Sequence, residues 1–379
     1  MKIVENTNIA SLSPLASAIY DKLAHNQQML FLTWECEDDE LTNQVAHFLN
    51  HFDAAIAHLK GKVEFMLPLT VFYLMAHRAT SKWPADEELC RSLAKIAANH
   101  TVYWRAGRFD FNVSAKPIIY GIMNITPDSF YDGGRYNTPE AMREHIRQMV
   151  AAGADVIEVN GQTTKPGGYK EVSPEEELAR IVPGIKMLQK EFPNVAIAVD
   201  TYKLPVMERV LEMSVDIIND VQAFDDQRKL LLLKNSRAGL VTMHSSRDRE
   251  YGNLTVEMKH FFEHNLAKIS EAGINLDRVI IDEGIGYSKV ADGEQDYAMM
   301  RNIDEFRYLN RPIMVAISRK GFGKKLFDLP KDERLPVTLI AETYMYLHGG
   351  RVLRVHDIEE TRQLVKMIDT ITAGYWQRG

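Results

Sequence analysis

The feature that most constrains the fold of this chain is a regular alternation of short, β-branched apolar runs with longer helical patterns from Lys116 onward. The strand-like runs are 117–123, 155–159, 195–199, 215–218, 238–242, 278–281, 312–317 and 351–354. The helical segments between and after them are 139–152, 174–191, 204–213, 227–235, 254–272, 294–309, 337–348 and 357–371. Such alternation is typical of parallel strands joined by right-handed crossovers through helices.

Eight strand–helix units in about 265 residues predict a closed (β/α)8 barrel, a fold that typically needs about 250 residues. An open, doubly wound sheet is the competing arrangement, but it normally contains fewer units. We therefore expect an α/β protein in which residues 113–379 form a TIM barrel that carries the chemistry.

Residues 1–112 show a different pattern and predict a small, mainly helical α/β domain of unknown role. Apolar residues recur at helical spacing between positions 41 and 59, and again between 89 and 97 after a helix start signal at 84–86. The run 65–77 is apolar enough to be a buried strand or helix. Four dispersed histidines in this part are expected to be ordinary surface or core residues.

Composition narrows the class of protein. The 45 basic and 52 acidic side chains give a net charge of −7, which disfavours nucleic-acid binding because that needs a basic surface. The two cysteines cannot build a disulfide framework or a thiolate metal site. The longest apolar run, near 66–75, is too short to span a membrane, and the N-terminus does not resemble a signal peptide. We expect a cytoplasmic enzyme.

Polar side chains follow every predicted strand, at the end where barrel enzymes build their active sites. They are Asn124, Glu158, Asn160, Asp200, Asn219, Asp220, His244, Asp282, Glu283, Ser318, Arg319, Lys320, Arg354 and His356. Taken singly, Asp200 and Asn219 also suit helix N-caps, and Arg319 suits a structural ion pair. The convergence of so many polar groups on one rim favours a site.

The residue types indicate two neighbouring parts of that site. Asp200, Asn219 and Asp282 offer acceptors and one amide, a set that suits a heterocycle such as a 2-amino-4-oxopyrimidine ring. Met243 and Tyr287 could supply apolar walls for such a ring.

A second group, Asn124, Arg354 and His356, forms a donor-rich corner suited to phosphate or pyrophosphate. The sequence contains no activated Ser or Cys nucleophile and no carboxylate pair at glycosidase spacing. This favours displacement of a phosphorylated leaving group, with electrostatic stabilisation as the main contribution of the protein.

Several motifs in collinear order resemble those of dihydropteroate synthases. They are NITPDSF at 124–130 with DGG at 132–134, VDTYK at 199–203, IINDV at 217–221, MH at 243–244, DEGIGYSK at 282–289, SRK at 318–320 and RVHD at 354–357. The resemblance implies condensation of 6-hydroxymethyl-7,8-dihydropterin pyrophosphate with p-aminobenzoate, Mg²⁺ as cofactor, sulfonamides as inhibitors and a homodimer. It implies no nucleic-acid or membrane partner.

The resemblance also implies residue roles. Lys320, Asp200 and Asp282 would be catalytic. The pterin would be bound by Asp200, Asn219, Met243, Asp282, Tyr287 and Lys320. The pyrophosphate would be bound by Asn124, Arg354 and His356, and Asn124 would also bind the metal. The aminobenzoate and the loops around it would involve Thr126, Asp128, Phe130, Asp132, Thr164, Lys165 and Pro166. An Asp132–Lys165 pair would tie the two loops together.

This chain departs from the family pattern in its second loop. That loop usually reads close to GGESTRPG after an aspartate, whereas residues 158–167 here read EVNGQTTKPG. Lys165 replaces a bidentate arginine, a change that is not conservative for a planar contact, and Gln162 removes a charge. Glu283 stands where proline is usual, and Gly321 stands where a serine often contacts the aminobenzoate.

Two alternatives remain open at the level of sequence. One is a pterin-dependent methyltransferase on the same barrel, which would hand a methyl group to a corrinoid protein. The other is a non-catalytic pterin-binding or scaffold protein whose N-terminal part is the functional one. An apolar stripe formed by Leu364, Met367 and Ile371 is compatible with a dimer, although such stripes more often pack on their own barrel.

Overall fold

The computed structural model describes residues 1–7, 13–125, 138–162, 171–245, 251–287 and 293–375. Its residues group into two compact units, one formed by Met1–Thr101 with Met367–Gly379 and the other by Val102–Lys366.

The first unit contains a four-stranded antiparallel sheet with the strand order β1-β2-β4-β3. Its strands are β1 (Lys2–Glu5), β2 (Met29–Glu35), β3 (Ala55–Leu59) and β4 (Lys62–Pro68), and its helices are α1 (Pro14–Asp21), α2 (Asp39–Leu49), α3 (Leu69–Lys82) and α4 (Glu87–Asn99). Alternate residues of β2 and β4 are buried, and Trp34, Phe65 and Phe72 are among the residues that form their core.

The sequence patterns of this unit are only partly confirmed. Helix α4 follows its predicted start signal, with the Asp86 side chain accepting a hydrogen bond from the Leu89 amide at 3.0 Å. The long helix predicted over 41–59 is wrong, because α2 ends at Leu49 and Asp53 adopts a left-handed conformation. The apolar residues beyond it belong to β3. The ambiguous run 65–77 is divided between β4 and α3.

The second unit contains the predicted barrel. Its strands are β7 (Ile118–Asn124), β8 (Val156–Asn160), β9 (Ala196–Asp200), β10 (Ile217–Asp220), β11 (Gly239–Met243), β12 (Val279–Asp282), β13 (Ile313–Val315) and β14 (Gly350–Val355). All neighbours are parallel and β14 pairs with β7, so the sheet closes in chain order. The (β/α)8 barrel is confirmed, and the open-sheet alternative is wrong.

The barrel helices lie close to their predicted positions. They are α5 (Pro139–Ala152), α6 (Pro174–Glu191), α7 (Leu204–Glu212), α8 (Gln227–Lys234), α9 (Leu254–Glu271), α10 (Glu294–Arg301), α11 (Phe322–Phe327), α12 (Leu335–Leu347) and α13 (Ile358–Thr372). The segment predicted as one helix over 294–309 is split, with α10 followed by a 3₁₀ helix at Ile303–Leu309. Helix α11 is an addition that the sequence patterns do not predict.

A hairpin of β5 (Tyr103–Ala106) and β6 (Phe109–Asn112) covers the N-terminal ends of the barrel strands. Trp104 is fully buried, and its indole N–H donates to the Arg278 carbonyl at 2.9 Å, just before β12. The Arg108 guanidinium donates to Asp216 at 3.2 Å, just before β10. The hairpin is therefore fastened to this end of the barrel, whereas the polar strand ends lie at the opposite rim.

No helix in the described part of the chain is both long enough and apolar enough to cross a membrane.

Candidate active site

The strand register brings the polar strand ends together at the C-terminal rim of the barrel. The pairs in register are Asn124 with Asn160, Asp200 with Asn219, and Met243 with Asp282. Neither Asp200 nor Asn219 caps a helix, since Lys203 precedes α7 and Asp226 caps α8. The side chains of Asp200 and Asn219 are nevertheless buried. A residue whose only role is to end a strand does not need a buried side chain.

A glutamate from the second barrel strand lies at the centre of this rim. The carboxylate of Glu158 is fully buried and accepts hydrogen bonds from Tyr120 Oη at 2.8 Å, Asn160 Nδ2 at 2.9 Å and Asn219 Nδ2 at 3.0 Å. Arg354 donates to it through Nε at 3.1 Å and through Nη2. Four side chains from four strands therefore converge on one carboxylate.

The network extends on both sides of Glu158. Arg354 Nη2 also donates to Asp200 Oδ2 at 3.3 Å, and Asn160 Nδ2 also donates to Asn124 Oδ1 at 3.2 Å. The side chains from Asn124 to Asp200 thus form one connected chain of hydrogen bonds across the rim.

The two carboxyl groups of this network, Glu158 and Asp200, have pKa values that are shifted in opposite directions. Burial acts to raise the pKa of Glu158, but the charge of Arg354 and the hydrogen bonds from Arg354 and Asn219 bring that pKa below its ordinary value. Burial raises the pKa of Asp200 well above its ordinary value, and the charge of Glu158 raises it further. The arrangement holds an ionised Glu158–Arg354 pair beside a second carboxyl group, Asp200, whose pKa is raised.

Within the hydrogen-bond network around Glu158, three buried oxygens accept no hydrogen bond from the described residues: Asp200 Oδ1, Asn219 Oδ1 and Asn160 Oδ1. A buried acceptor without a partner costs about 1–3 kcal/mol, so such groups mark a place where a ligand can supply donors.

Asp282 and Lys320 form the other side of the rim. Asp282 Oδ1 accepts from the Gly284 amide at 2.8 Å, and burial raises the pKa of Asp282 although the charge of Lys320 opposes the change. The Lys320 ammonium donates to the Ile285 carbonyl and lies 5.0 Å from the centre of the Tyr287 ring. The distance to the ring is in the range of a cation–π contact.

An apolar wall adjoins these polar groups. Met243 and Tyr287 are buried in one cluster with Val221, and Tyr202 packs against it. Gly284 makes the close approach of the two strand ends possible, because its φ is +75° and a Cβ there would lie 1.8 Å from the His244 carbonyl oxygen.

His356 is held by Ser318. Its Nδ1 lies 3.0 Å from Ser318 Oγ, and its backbone amide donates to the same oxygen at 3.2 Å. Burial and the charge of Arg354 lower the pKa of His356 to about 3, so the imidazole is neutral near pH 7. It can therefore offer a hydrogen bond but no positive charge.

The structural interpretation of Arg319 is confirmed. Its guanidinium donates to both carboxylate oxygens of Asp357, at 2.8 Å and 2.6 Å, and to the Asp332 carbonyl at 2.8 Å. It fastens the segment after β13 to the segment after β14.

The residues that flank the second loop are tied together by Gln162. Its Oε1 accepts from the Val172 amide at 2.9 Å and from Lys203 Nζ at 2.7 Å, while its Nε2 donates to Tyr202 Oη at 3.1 Å. Lys203 also pairs with the buried Glu177 at 2.8 Å. The neutral amide of Gln162 both donates and accepts here, which a carboxylate could not do.

Seven residues that the resemblance implicates lie outside the described residues. They are Thr126, Asp128, Phe130, Asp132, Thr164, Lys165 and Pro166. Nothing in the structure bears on the predicted pair of Asp132 with Lys165.

The sequence placed Glu158 and Asn160 among the polar residues of the rim but assigned them no role, and it did not single out Tyr120; the structure places all three within the network. A signal was present, because Glu158 and Asn160 alternate in a short strand that is otherwise apolar, and alternate residues of a strand share a face. Asn124, which the resemblance assigns to the metal, accepts a hydrogen bond from Asn160. The described residues include no group of three or more His, Cys, Asp or Glu side chains that could hold a metal ion.

The family model described as "Pterin binding enzyme" matches residues 120–356, which is more than half of the chain. The barrel, its polar rim and this match define the class of protein as a pterin-binding enzyme.

The dihydropteroate synthase of Clostridium beijerinckii is 34% identical over 271 residues, covering 70% of this chain and 98% of the relative. The chain belongs to the dihydropteroate synthase family, whose members are transferases of folate biosynthesis.

Solved structures agree with this. The chain is similar to Yersinia pestis dihydropteroate synthase in a sulfonamide drug complex, with a TM-score of 0.67 and 27% identity, covering 72% of this chain and all of that one. It is also similar to Burkholderia cenocepacia dihydropteroate synthase complexed with 7,8-dihydropteroate, with a TM-score of 0.65 and 27% identity, covering 73% of this chain and 99% of that one.

Proposed function

We propose that this chain condenses 6-hydroxymethyl-7,8-dihydropterin pyrophosphate with p-aminobenzoate to give 7,8-dihydropteroate and pyrophosphate. The observation that carries the proposal is the set of buried acceptors at Asp200, Asn219 and Asn160 that receive no hydrogen bond from the described residues. A pterin ring presents an amino group and ring N–H donors along one edge, with flat apolar faces. It therefore complements these acceptors and the wall beside them.

In this proposal, the pterin is held by Asp200, Asn219, Asp282 and Lys320, with Met243 and Tyr287 against its faces. The raised pKa values of Asp200 and Asp282 support the role, because a carboxyl group that can hold or release a proton matches ring nitrogens and an amino group. Lys320, Asp200 and Asp282 are the proposed catalytic residues.

The reaction needs no protein nucleophile. The bond between the pterin methylene carbon and the pyrophosphate oxygen breaks, and the oxygen leaves with the electron pair. The amine nitrogen of p-aminobenzoate forms the new bond to the methylene carbon and then loses a proton. The protein contributes mainly by stabilising charge that develops on the leaving group.

Asn124, Arg354 and His356 are proposed to bind the pyrophosphate. The hydrogen bonds of Arg354 to described residues use Nε and Nη2 and leave Nη1 for a substrate oxygen. His356, neutral near pH 7, adds a hydrogen bond and no charge.

Mg²⁺ fits this corner as an ion carried by the substrate. It commonly binds through one or two protein ligands together with substrate phosphates. Asn124 Oδ1 accepts one hydrogen bond, from Asn160, and retains a second lone pair for the metal. Bound Mg²⁺ would neutralise charge on the pyrophosphate.

The aminobenzoate is assigned by resemblance to the two loops with Thr126, Asp128, Phe130, Asp132, Thr164, Lys165 and Pro166. This chemistry belongs to residues 113–379, and no chemical role is assigned to residues 1–112.

We place the protein in the cytoplasm, where the substrates of folate biosynthesis are made.

We also propose a homodimer that uses the C-terminal helices. On α12, Ile340, Tyr344 and Leu347 follow helical spacing and are 69%, 40% and 52% exposed. On α13, Met367 and Ile371 are similarly exposed. Exposed apolar stripes of this kind commonly mark contacts between subunits.

Complementation tests the proposed reaction in a cell. A bacterium that lacks its own dihydropteroate synthase should regain growth without folate end products when it expresses this chain. The Asp200→Asn variant should express equally and fail to restore growth, because it loses a carboxyl group of the pterin site. If the chain is made in folded form and growth is not restored, the proposed reaction is wrong.

A further inference from the structure

An ionised carboxylate accepts hydrogen bonds and donates none. Every amide that contacts Glu158 must therefore turn its NH₂ group toward it. Asn160 and Asn219 do so, at 2.9 Å and 3.0 Å, and each then directs its carbonyl oxygen away from Glu158. Those two oxygens are among the buried acceptors that receive no hydrogen bond from the described residues.

The constraint extends one residue further. Asn160 Nδ2 reaches both Glu158 Oε1 and Asn124 Oδ1, the latter at 3.2 Å. Because Asn160 must present NH₂ at this point, Asn124 must present its oxygen. The orientation of three amides thus follows from the charge on one buried carboxylate.

We propose that Glu158 is a positioning residue that fixes the amide orientations of Asn219 and Asn160 and, through Asn160, of Asn124. The rim then presents oxygen acceptors to the donor-bearing edge of the pterin. Glu158 acts through these neighbours, since it is fully buried and its oxygens are occupied by Tyr120, Arg354 and the amides. The inference rests on the proposed function in that the ligand is a pterin.

The charge of Glu158 is what enforces the orientation. A glutamine at this position would keep the shape but would add an NH₂ group that itself needs an acceptor. The carbonyl oxygen of Asn219 or Asn160 would satisfy it by a flip of the amide, and that amide would then offer NH₂ to the ligand. The acceptor pattern that matches an amino group would be lost without loss of packing.

The test compares two probes on the full-length chain by calorimetry: 6-hydroxymethylpterin and its analogue that lacks the 2-amino group. The wild type should bind the amino-bearing probe more tightly. In Glu158→Gln the ratio of the two dissociation constants should fall about tenfold, because one mismatched buried hydrogen bond is worth about that factor.

A merely structural role would weaken both probes by the same factor and leave the ratio unchanged. Glu342→Gln is the matched control, since Glu342 is equally buried in the same unit and contacts Thr361. It should leave the ratio at the wild-type value. A ratio in Glu158→Gln within twofold of the wild type overturns the inference.

Failure of the proposed function gives a different result, because the wild type itself would then bind neither probe.

If Glu158→Gln does not fold, Asn160→Ala decides the matter with pyrophosphate as the probe. Loss of the amide that orients Asn124 should raise the dissociation constant for pyrophosphate several-fold. An unchanged constant overturns the inference.

Discussion

Glu158 and Arg354 form a buried ion pair in which the guanidinium bridges two carboxyl groups, donating to Glu158 through Nε at 3.1 Å and to Asp200 through Nη2 at 3.3 Å. The two residues are 196 positions apart in the chain and lie on β8 and β14. The pair joins the proposed pterin and pyrophosphate parts of the site, because Asp200 belongs to the first and Arg354 to the second.

The pair predicts a graded loss of stability when the arginine is replaced. Arg354→Ala leaves the charge of Glu158 buried and unpaired, which should lower the free energy of unfolding by about 3–5 kcal/mol. Arg354→Lys keeps the charge but cannot bridge two carboxyl groups with a planar fork, so it should lie between the wild type and the alanine variant. Urea unfolding measures this order, and equal stability of all three proteins would contradict it.

Lys320→Ala should remain folded and lose turnover. Lys320 contacts the Ile285 carbonyl and the Tyr287 ring rather than a core ion pair, so its removal costs little packing. Lys320 is proposed to hold the pterin, and misplacement of a reacting group by about 1 Å can lower the rate about 10²-fold. Lys324→Ala, which changes an exposed lysine on α11, is the control and should keep the wild-type rate. A wild-type rate for folded Lys320→Ala would show that the residue is wrongly assigned.

Gly107→Ala should destabilise the end of the barrel that the β5–β6 hairpin covers, without changing the active site at the opposite rim. Gly107 has φ +62°, and a Cβ there would lie 2.5 Å from Asp216 Oδ1. We expect a loss of about 2 kcal/mol or more in the free energy of unfolding, from backbone strain and displacement of Asp216. Gly252→Ala is the control, since no atom lies within 4 Å of its added Cβ. Thermal unfolding of both variants gives the comparison, and equal melting temperatures would contradict the expected strain.

Glu342 predicts a pH dependence of stability. Burial raises the pKa of Glu342 to about 8, against 4.5 for the ordinary group. The stability linked to its proton is therefore complete below pH 4.5 and is lost as pH rises through 8. The glutamine in Glu342→Gln does not titrate, so the free energy of unfolding of the wild type should fall relative to that of the variant by about 5 kcal/mol as the pH rises from 4.5 to 8. Urea unfolding at several pH values checks this, and a difference that is constant with pH would contradict it.

The barrel was predictable because each of its units repeats two independent signals. A buried parallel strand is a continuous apolar run, and each surrounding helix has one apolar face, so the pattern alone placed α5 and α6 at their observed bounds. The N-terminal unit was less predictable. The apolar residues of β3 continue the spacing of α2, and a 3₁₀ turn at Asn50–Phe52 followed by the left-handed Asp53 ends the helix between them.

The site was predictable in outline and not in its connections. A barrel places every strand end on one rim, so Asp200, Asn219 and Asp282 could be expected there. Which side chains join by hydrogen bonds depends on register and side-chain length, which sequence spacing does not contain. The role of Glu158 was missed for this reason, since the sequence places its carboxylate on the rim but does not show Arg354 beside it.

The most direct test of the account is release of pyrophosphate by the purified chain with 6-hydroxymethyl-7,8-dihydropterin pyrophosphate and Mg²⁺, with and without p-aminobenzoate. The account predicts release that depends on p-aminobenzoate and yields an equal amount of 7,8-dihydropteroate. Binding of the pterin substrate without release that depends on p-aminobenzoate would contradict it.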